Sequence, residues 1–222
     1  MAIERMKKDG DVDGLIGTLK AEASMTNLGD RSSAAIALGE IGDVRAIAPL
    51  VQALKGWDGV LRHFAAGALE KLGWRPRNVE EEVSYFIAKQ WYGRLDGVGP
   101  AAAEILLHFL KDPDEVVKCT ATRNLARLKD ERAIEPFIEM QGKKWNSYPR
   151  AQSIAAAGLV AMGPPILERL RQALRIAEEE QMKTGDLPDA KSTRIEGIIE
   201  TIEKEWMKGA QRPLENERRG VR

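Results

Sequence analysis

The chain has 222 residues, 43% of them hydrophobic and 5% aromatic, with 34 Lys and Arg against 34 Asp and Glu. That balance gives no net field drawing the whole molecule to nucleic acid or anionic lipid, so only a local basic stripe could play that part. The single cysteine, Cys119, excludes an internal disulfide, and the absence of an apolar run near about 18 residues or of a signal-peptide pattern reads as a cytoplasmic protein outside the membrane.

Residues 1–9 read as a short polar lead-in. The run Asp9-Gly10-Asp11-Val12-Asp13-Gly14 matches the opening of an EF-hand calcium loop, but the position of the closing bidentate Glu is Lys20. No metal is expected here. The acids read instead as helix caps, ahead of an apolar stripe at Val12, Leu15, Ile16 and Leu19.

The stretch 34–54 sets the pattern for the rest of the chain. Ala34, Ala35, Leu38 and Ile41 draw one narrow stripe along a helix, and the alanines in it let a neighbour come close. Gly42 can end that helix in the left-handed region and Asp43 can cap the next, whose stripe is Ile47, Leu50, Val51 and Leu54 with Pro49 in the first turns. The unit is a helical hairpin. Its first half recurs at Ala65/Ala66/Leu69/Leu72, Ala121/Thr122/Leu125/Leu128 and Ala155/Ala156/Leu159/Met162. Its second half starts at residues 12, 47, 103, 134 and 167, steps of 35, 56, 31 and 33 residues. A period in the thirties with two helices per unit implies an all-α solenoid of five to six hairpins, a single domain over 1–208.

The long step holds an irregular insertion near 74–98: an extra helix from Val79 to Lys89, flanked by Trp74, Trp91 and Tyr92, aromatics that either plug the joint or stack a ligand. Further on come helices 100–111, 114–129 and 131–142, then a loop of interleaved cations and aromatics, Lys143-Lys144-Trp145-Asn146-Ser147-Tyr148-Pro149-Arg150. Helix 150–162 is apolar all round and must be covered on both sides, by helices 164–183 and 189–208 with Ile195, Ile198, Ile199, Ile202 and Trp206 as buried face. Residues 209–222 read as a flexible tail.

The strings Leu38-Gly39-Glu40-Ile41-Gly42-Asp43-Val44-Arg45-Ala46-Ile47-Ala48-Pro49-Leu50 and Leu125 to Phe137, which keeps Asp130, Arg132, Ala133, Ile134 and Pro136, resemble HEAT repeats of the phycobilisome-lyase-like type. The resemblance spans about residues 10–175 and implies the solenoid fold. It leaves function open, because bilin lyases, deoxyhypusine hydroxylase and many scaffolds use this repeat. His63 and His108 are followed by Phe, so the His-Glu pairs that the hydroxylase uses for iron are missing.

The sequence offers no phosphate-cradling Gly loop, Cys/His metal spacing or nucleophile elbow, so no catalytic, cofactor or metal residue is assigned and no cofactor is expected. Cys119 reads as a structural thiol at a partly exposed position. The periodic cations Arg31, Arg62 and Lys118, seven residues before the repeat's Leu, and Arg45 and Arg132 read as a ladder to acids such as Asp43 and Asp130 in adjacent units. Two classes of function follow. The chain is a monomeric scaffold gripping a protein or peptide on its concave surface, with Arg62, Lys118, Arg123, Arg127, Trp145 and Tyr148 as contact residues. Alternatively, resembling HEAT-like DNA alkylation-repair proteins, Lys118, Arg123, Arg127, Lys143, Lys144 and Arg150 hold a nucleic-acid backbone, or the chain handles a bilin chromophore.

Overall fold

Helices are the only regular elements among the described residues of this computed structural model, which are 2–22, 24, 27–142, 145–184 and 190–219. The side chains of residues 184 and 209–219 lie outside that description. The chain divides into two compact units, Met1–His108 with Asp112–Asp114 and Phe109–Lys111 with Glu115–Arg222.

The first unit opens with α1 (Ala2–Asp9), not with a polar lead-in: Ile3 and Met6 lie one turn apart, Ile3 is buried in the core, and the helix packs on its two successors. In α2 (Val12–Lys20) the side chain of Asp11 accepts from Gly14 N at 2.9 Å, so this acid caps a helix start. Then α3 (Leu28–Ile41) ends at Gly42, whose φ of +81° is the left-handed turn that glycine enters without a Cβ clash. Asp43 accepts from Arg45 N at 2.8 Å and starts a 3₁₀ turn, Val44–Ala46, which leads into α4 (Ile47–Ala53). Next, α5 (Gly59–Lys71) is capped by Asp58 and packs on α3. Small residues set that contact, since a Cβ on Gly39 would lie 2.7 Å from Ala68 Cα.

The irregular insertion contains α6 (Val79–Ala88), where Asn78 accepts from Glu81 N and the Glu81 carboxylate accepts from Arg77 N. The exchange satisfies donors that a helix start leaves unpaired. Val83 and Ile87 are buried as the spacing requires, and Trp74 is 6% exposed with its ring edge-on to Tyr85 at 5.8 Å. Two 3₁₀ turns, Tyr92–Gly97 and Pro100–Ala102, precede α7 (Ala103–Phe109).

The second unit holds α8 (Glu115–Leu128), α9 (Ile134–Glu139), α10 (Pro149–Met162), α11 (Leu167–Thr184) and α12 (Ala190–Arg219). Asp130 caps the 3₁₀ turn before α9 as Asp43 does before α4. A Cβ on Gly158 would lie 2.8 Å from Ala126 Cβ and 2.9 Å from Phe137 Cε2, so α10 meets α8 and α9 at the small residue. Two expectations need correction. The cover over α10 is partial: Ala151, Ala155, Gly158 and Leu159 are buried, but Ala157 and Ala161 face solvent. Ile195, Ile198, Ile199 and Ile202 are buried on α12, whereas Trp206 is 60% exposed. α12 extends to Arg219. The architecture in each unit is all-α, with paired helices of HEAT-like spacing.

Candidate interaction surface

The periodic acids and cations form local clasps. Arg45 donates from Nε and Nη2 to Asp43 and from Nη1 to Asp13 at 3.1 Å; Arg132 donates to Asp130 at 2.8–2.9 Å. Asp43 and Asp130 lie two residues from their arginines in the same turn and not in an adjacent unit as expected, whereas Asp13 belongs to the preceding hairpin. These guanidinium groups hold the Asp43 and Asp130 carboxyls below the usual carboxylate range.

The second cation series points inward. Arg31 Nε donates to Leu19 O at 3.3 Å, and Arg62 Nη1 donates to Gly56 O at 2.7 Å. Each carbonyl stands at or just past the end of the preceding helix, where C=O groups have lost their intrahelical donors and a cation complements the dipole. Arg194 repeats the arrangement on Gln141 O after α9. Arg62 is 2% exposed and pairs with Asp112, itself fully buried. Lys118 is 4% exposed, its Nζ 3.9 Å from the Tyr148 ring centroid and 5.7 Å from that of Trp145. Arg62 and Lys118, expected as contact residues, are therefore interior. For Arg31 and Arg62 the position seven residues before the stripe's Leu lies in the first turn of its helix, against the end of the helix before, whereas Lys118 meets rings later in the chain.

Of the six expected contact residues, Arg62 lies in the first unit and the other five in the second. On α8, Arg123 and Arg127 stand exposed one turn apart, while Lys118, Cys119, Thr122 and Leu125 are buried. Cys119, at 8% exposure, is a core thiol and not a partly exposed one. Trp145 and Tyr148 are half-buried, with ring centroids 6.0 Å apart, and close over Lys118 as a packed loop. Lys143 and Lys144, which the nucleic-acid reading needs, lie outside the described residues. Arg150 is exposed at the start of α10.

The aromatics of the insertion separate. Trp74 fills the joint; Trp91 is 39% exposed with the Arg94 guanidinium 4.8 Å from its ring centroid, and Tyr92 is half-buried. Burial, then the charge of Asp114, pushes the Tyr92 hydroxyl up. Tyr85 donates to Glu70 at 2.6 Å and Lys89 donates to the other Glu70 oxygen at 3.0 Å. Burial and then that carboxylate push Tyr85 up to about 12, while the Tyr85 hydroxyl and then Lys89 lower Glu70. Among the described residues no group of three or more His, Cys, Asp or Glu side chains could hold a metal, and no helix is long and apolar enough to cross a membrane.

Residues 30–56, the α3 to α4 hairpin with its Gly42-Asp43 break, match the family model of the PBS lyase HEAT-like repeat. That hairpin is similar to a PBS lyase HEAT-like repeat. It is 29% identical over 148 residues to phycocyanobilin lyase subunit alpha of Nostoc sp., a match covering 57% of this chain and 54% of that protein. The chain thus spans about half the length of this curated relative. Among solved structures, the complex of CpcE and CpcF of phycocyanin lyase from Nostoc sp. is similar at 23% identity, covering 90% of this chain and 85% of that one, with a TM-score of 0.28. The residues that sequence reasoning missed are interior polar groups of the first unit: Asp112 under Arg62, and His108, whose ring stacks on Trp57 at 4.3 Å. Asp112 signals only as the first of two acids around Pro113, which reads as a helix cap.

Proposed function

We propose that this chain is a non-catalytic HEAT-like interaction module that holds a protein partner through the exposed side chains of its first-half helices. The observation that carries the reading is the α8 pair Arg123 and Arg127, two guanidinium groups one turn apart on a helix whose other face is core. Arginine supplies large contact area and directed hydrogen bonds to carboxylates, which makes it a frequent anchor of interfaces. The partner's contact segment is acidic. The test is capture of partners from native lysate with the intact chain, their identification by mass spectrometry, and repetition with R123E/R127E. The double variant keeps its melting temperature and loses the identified partner; retention of that partner refutes the assignment.

A second reading is favoured by the similarity to the phycocyanobilin lyase subunit: the chain handles a bilin as part of a lyase-type assembly. Adding phycocyanobilin to the purified chain separates the readings. A red shift and sharpening of the bilin absorbance at stoichiometric protein supports the second; an unchanged spectrum leaves the first.

A further inference from the structure

The first unit holds a hollow that the α8 surface does not involve. It opens beside the α2 to α3 and α4 to α5 connections, has a volume of about 330 Å³, and is lined in part by Lys20, Arg31, Gln52, Trp57, Asp58 and Leu61. That volume falls in the small-ligand range of about 300–1,000 Å³.

Its aromatic wall is fixed in place. Trp57 is 43% exposed, yet its indole stacks on the His108 ring at 4.3 Å and 16°, and His108 Nε2 donates to Lys55 O at 2.9 Å. The carbonyl can only accept, so this nitrogen carries the proton. An exposed ring already held by a second ring loses little freedom when a ligand covers it.

The charges beside it are uneven. Lys20 forms no ion pair among the described residues, and Arg31 uses Nε on Leu19 O, leaving both Nη groups without a partner among those residues. The one carboxylate, Asp58, spends Oδ1 on Val60 N and Leu61 N at 3.0 Å each, bound to the positive end of α5. Its Oδ2 is buried with no hydrogen-bond partner. Two cations without a counter-charge among the described residues thus share the hollow with a carboxylate held at a helix start, and the hollow favours an anion that also brings a flat apolar group.

We propose that this hollow binds a carboxylate joined to a ring-bearing group, with the carboxylate on Lys20 and Arg31 and the ring against Trp57. The same chemistry is presented by the C-terminal residue of a partner chain and by a free acylated aromatic amino acid. The site is separate from the α8 surface, so the R123E/R127E variant retains it.

The test is a titration of the full chain, followed by ¹H–¹⁵N spectra, with N-acetyl-phenylalanine, with its C-terminal amide, and with a Gly-Ser hexapeptide ending in Phe with a free carboxylate. The acid moves the Trp57 indole N–H and the Lys20 and Gln52 amides, the amide binds roughly tenfold more weakly, and Lys20→Gln, a change at an exposed side chain, weakens the acid several-fold. Trp57→Ala removes the response. Tighter binding of the hexapeptide assigns a chain terminus as the source; equal binding assigns the small acid. Equal affinity for acid and amide, an unaltered response in Lys20→Gln, or no movement of the Trp57 indole by any of the three overturns the proposal.

Discussion

Removing the Asp112 carboxylate should be among the most damaging single changes in the first unit. The Arg62 and Asp112 side chains are 3% and 0% exposed, and Asp112 Oδ2 accepts from Arg62 Nη1 while Oδ1 accepts from Asp114 N at 2.9 Å. In Asp112→Ala the guanidinium keeps its bond to Gly56 O but stays out of water without this counter-charge. Breaking a buried pair from one side costs about 3–5 kcal/mol, and the lost bond to Asp114 N adds about 1 kcal/mol. In the double variant Arg62→Met/Asp112→Ala no charge is stranded, and Met fills most of the Arg volume. The pair's own loss then largely disappears, leaving the Asp114 term of about 1 kcal/mol and a small packing cost. Urea unfolding followed by circular dichroism measures this, with the midpoint of the first transition compared at constant slope. Thermal unfolding of Asp112→Ala should fall by roughly 10–20 °C, given a few degrees per kcal/mol for a unit of this size. A single variant costing less than about 1 kcal/mol, or a double variant as unstable as the single, would refute the reasoning that desolvated charge dominates here.

Gly39→Ala forces a Cβ to within 2.8 Å of Ala68 Cβ and should destabilise by about 1–3 kcal/mol despite the better helix propensity, whereas Gly17→Ala, with nothing within 4 Å, should gain up to about 1 kcal/mol; opposite signs of the two melting shifts check it. Tyr85, at about 12 in the fold against about 10 unfolded, holds its proton more tightly when folded. Its contribution is complete below about pH 10 and is lost as pH rises toward 12, so the wild type should lose stability over that window more steeply than Tyr85→Phe in alkaline melting curves. On α12, Ile202→Ala should cost about 2–5 kcal/mol because Ile202 is 2% exposed, while Trp206→Ala at 60% exposure should stay within about 0.5 kcal/mol; comparable losses would put Trp206 back in the core.

The elements were legible wherever local spacing carries them. The 3/4 stripes at 34/35/38/41 and 47/50/51/54, the break at Gly42-Asp43 and the helix from Val79 depend on groups within a turn of one another, and a backbone donor at a helix start needs its acceptor close by. The exposed pair Arg123 and Arg127 was legible for the same reason, since it sits off the stripe of its own helix.

The fate of Arg62, Lys118 and Trp206 was not legible. A cation or a tryptophan at a given phase of one helix is core or surface according to what the neighbouring element brings to it, and that partner is remote in sequence: Asp112 for Arg62, the rings of Trp145 and Tyr148 for Lys118. Trp206 continues the phase of Ile195, Ile199 and Ile202, yet it is exposed where those three are buried. Sequence by itself determined that the chain folds as hairpins of amphipathic helices, because a stripe and a capped break are intrahelical facts. Only the tertiary structure decided which charges are buried, which stay exposed, and that Trp57 stands fixed at the surface against His108, because desolvation is a property of the neighbours and not of the residue.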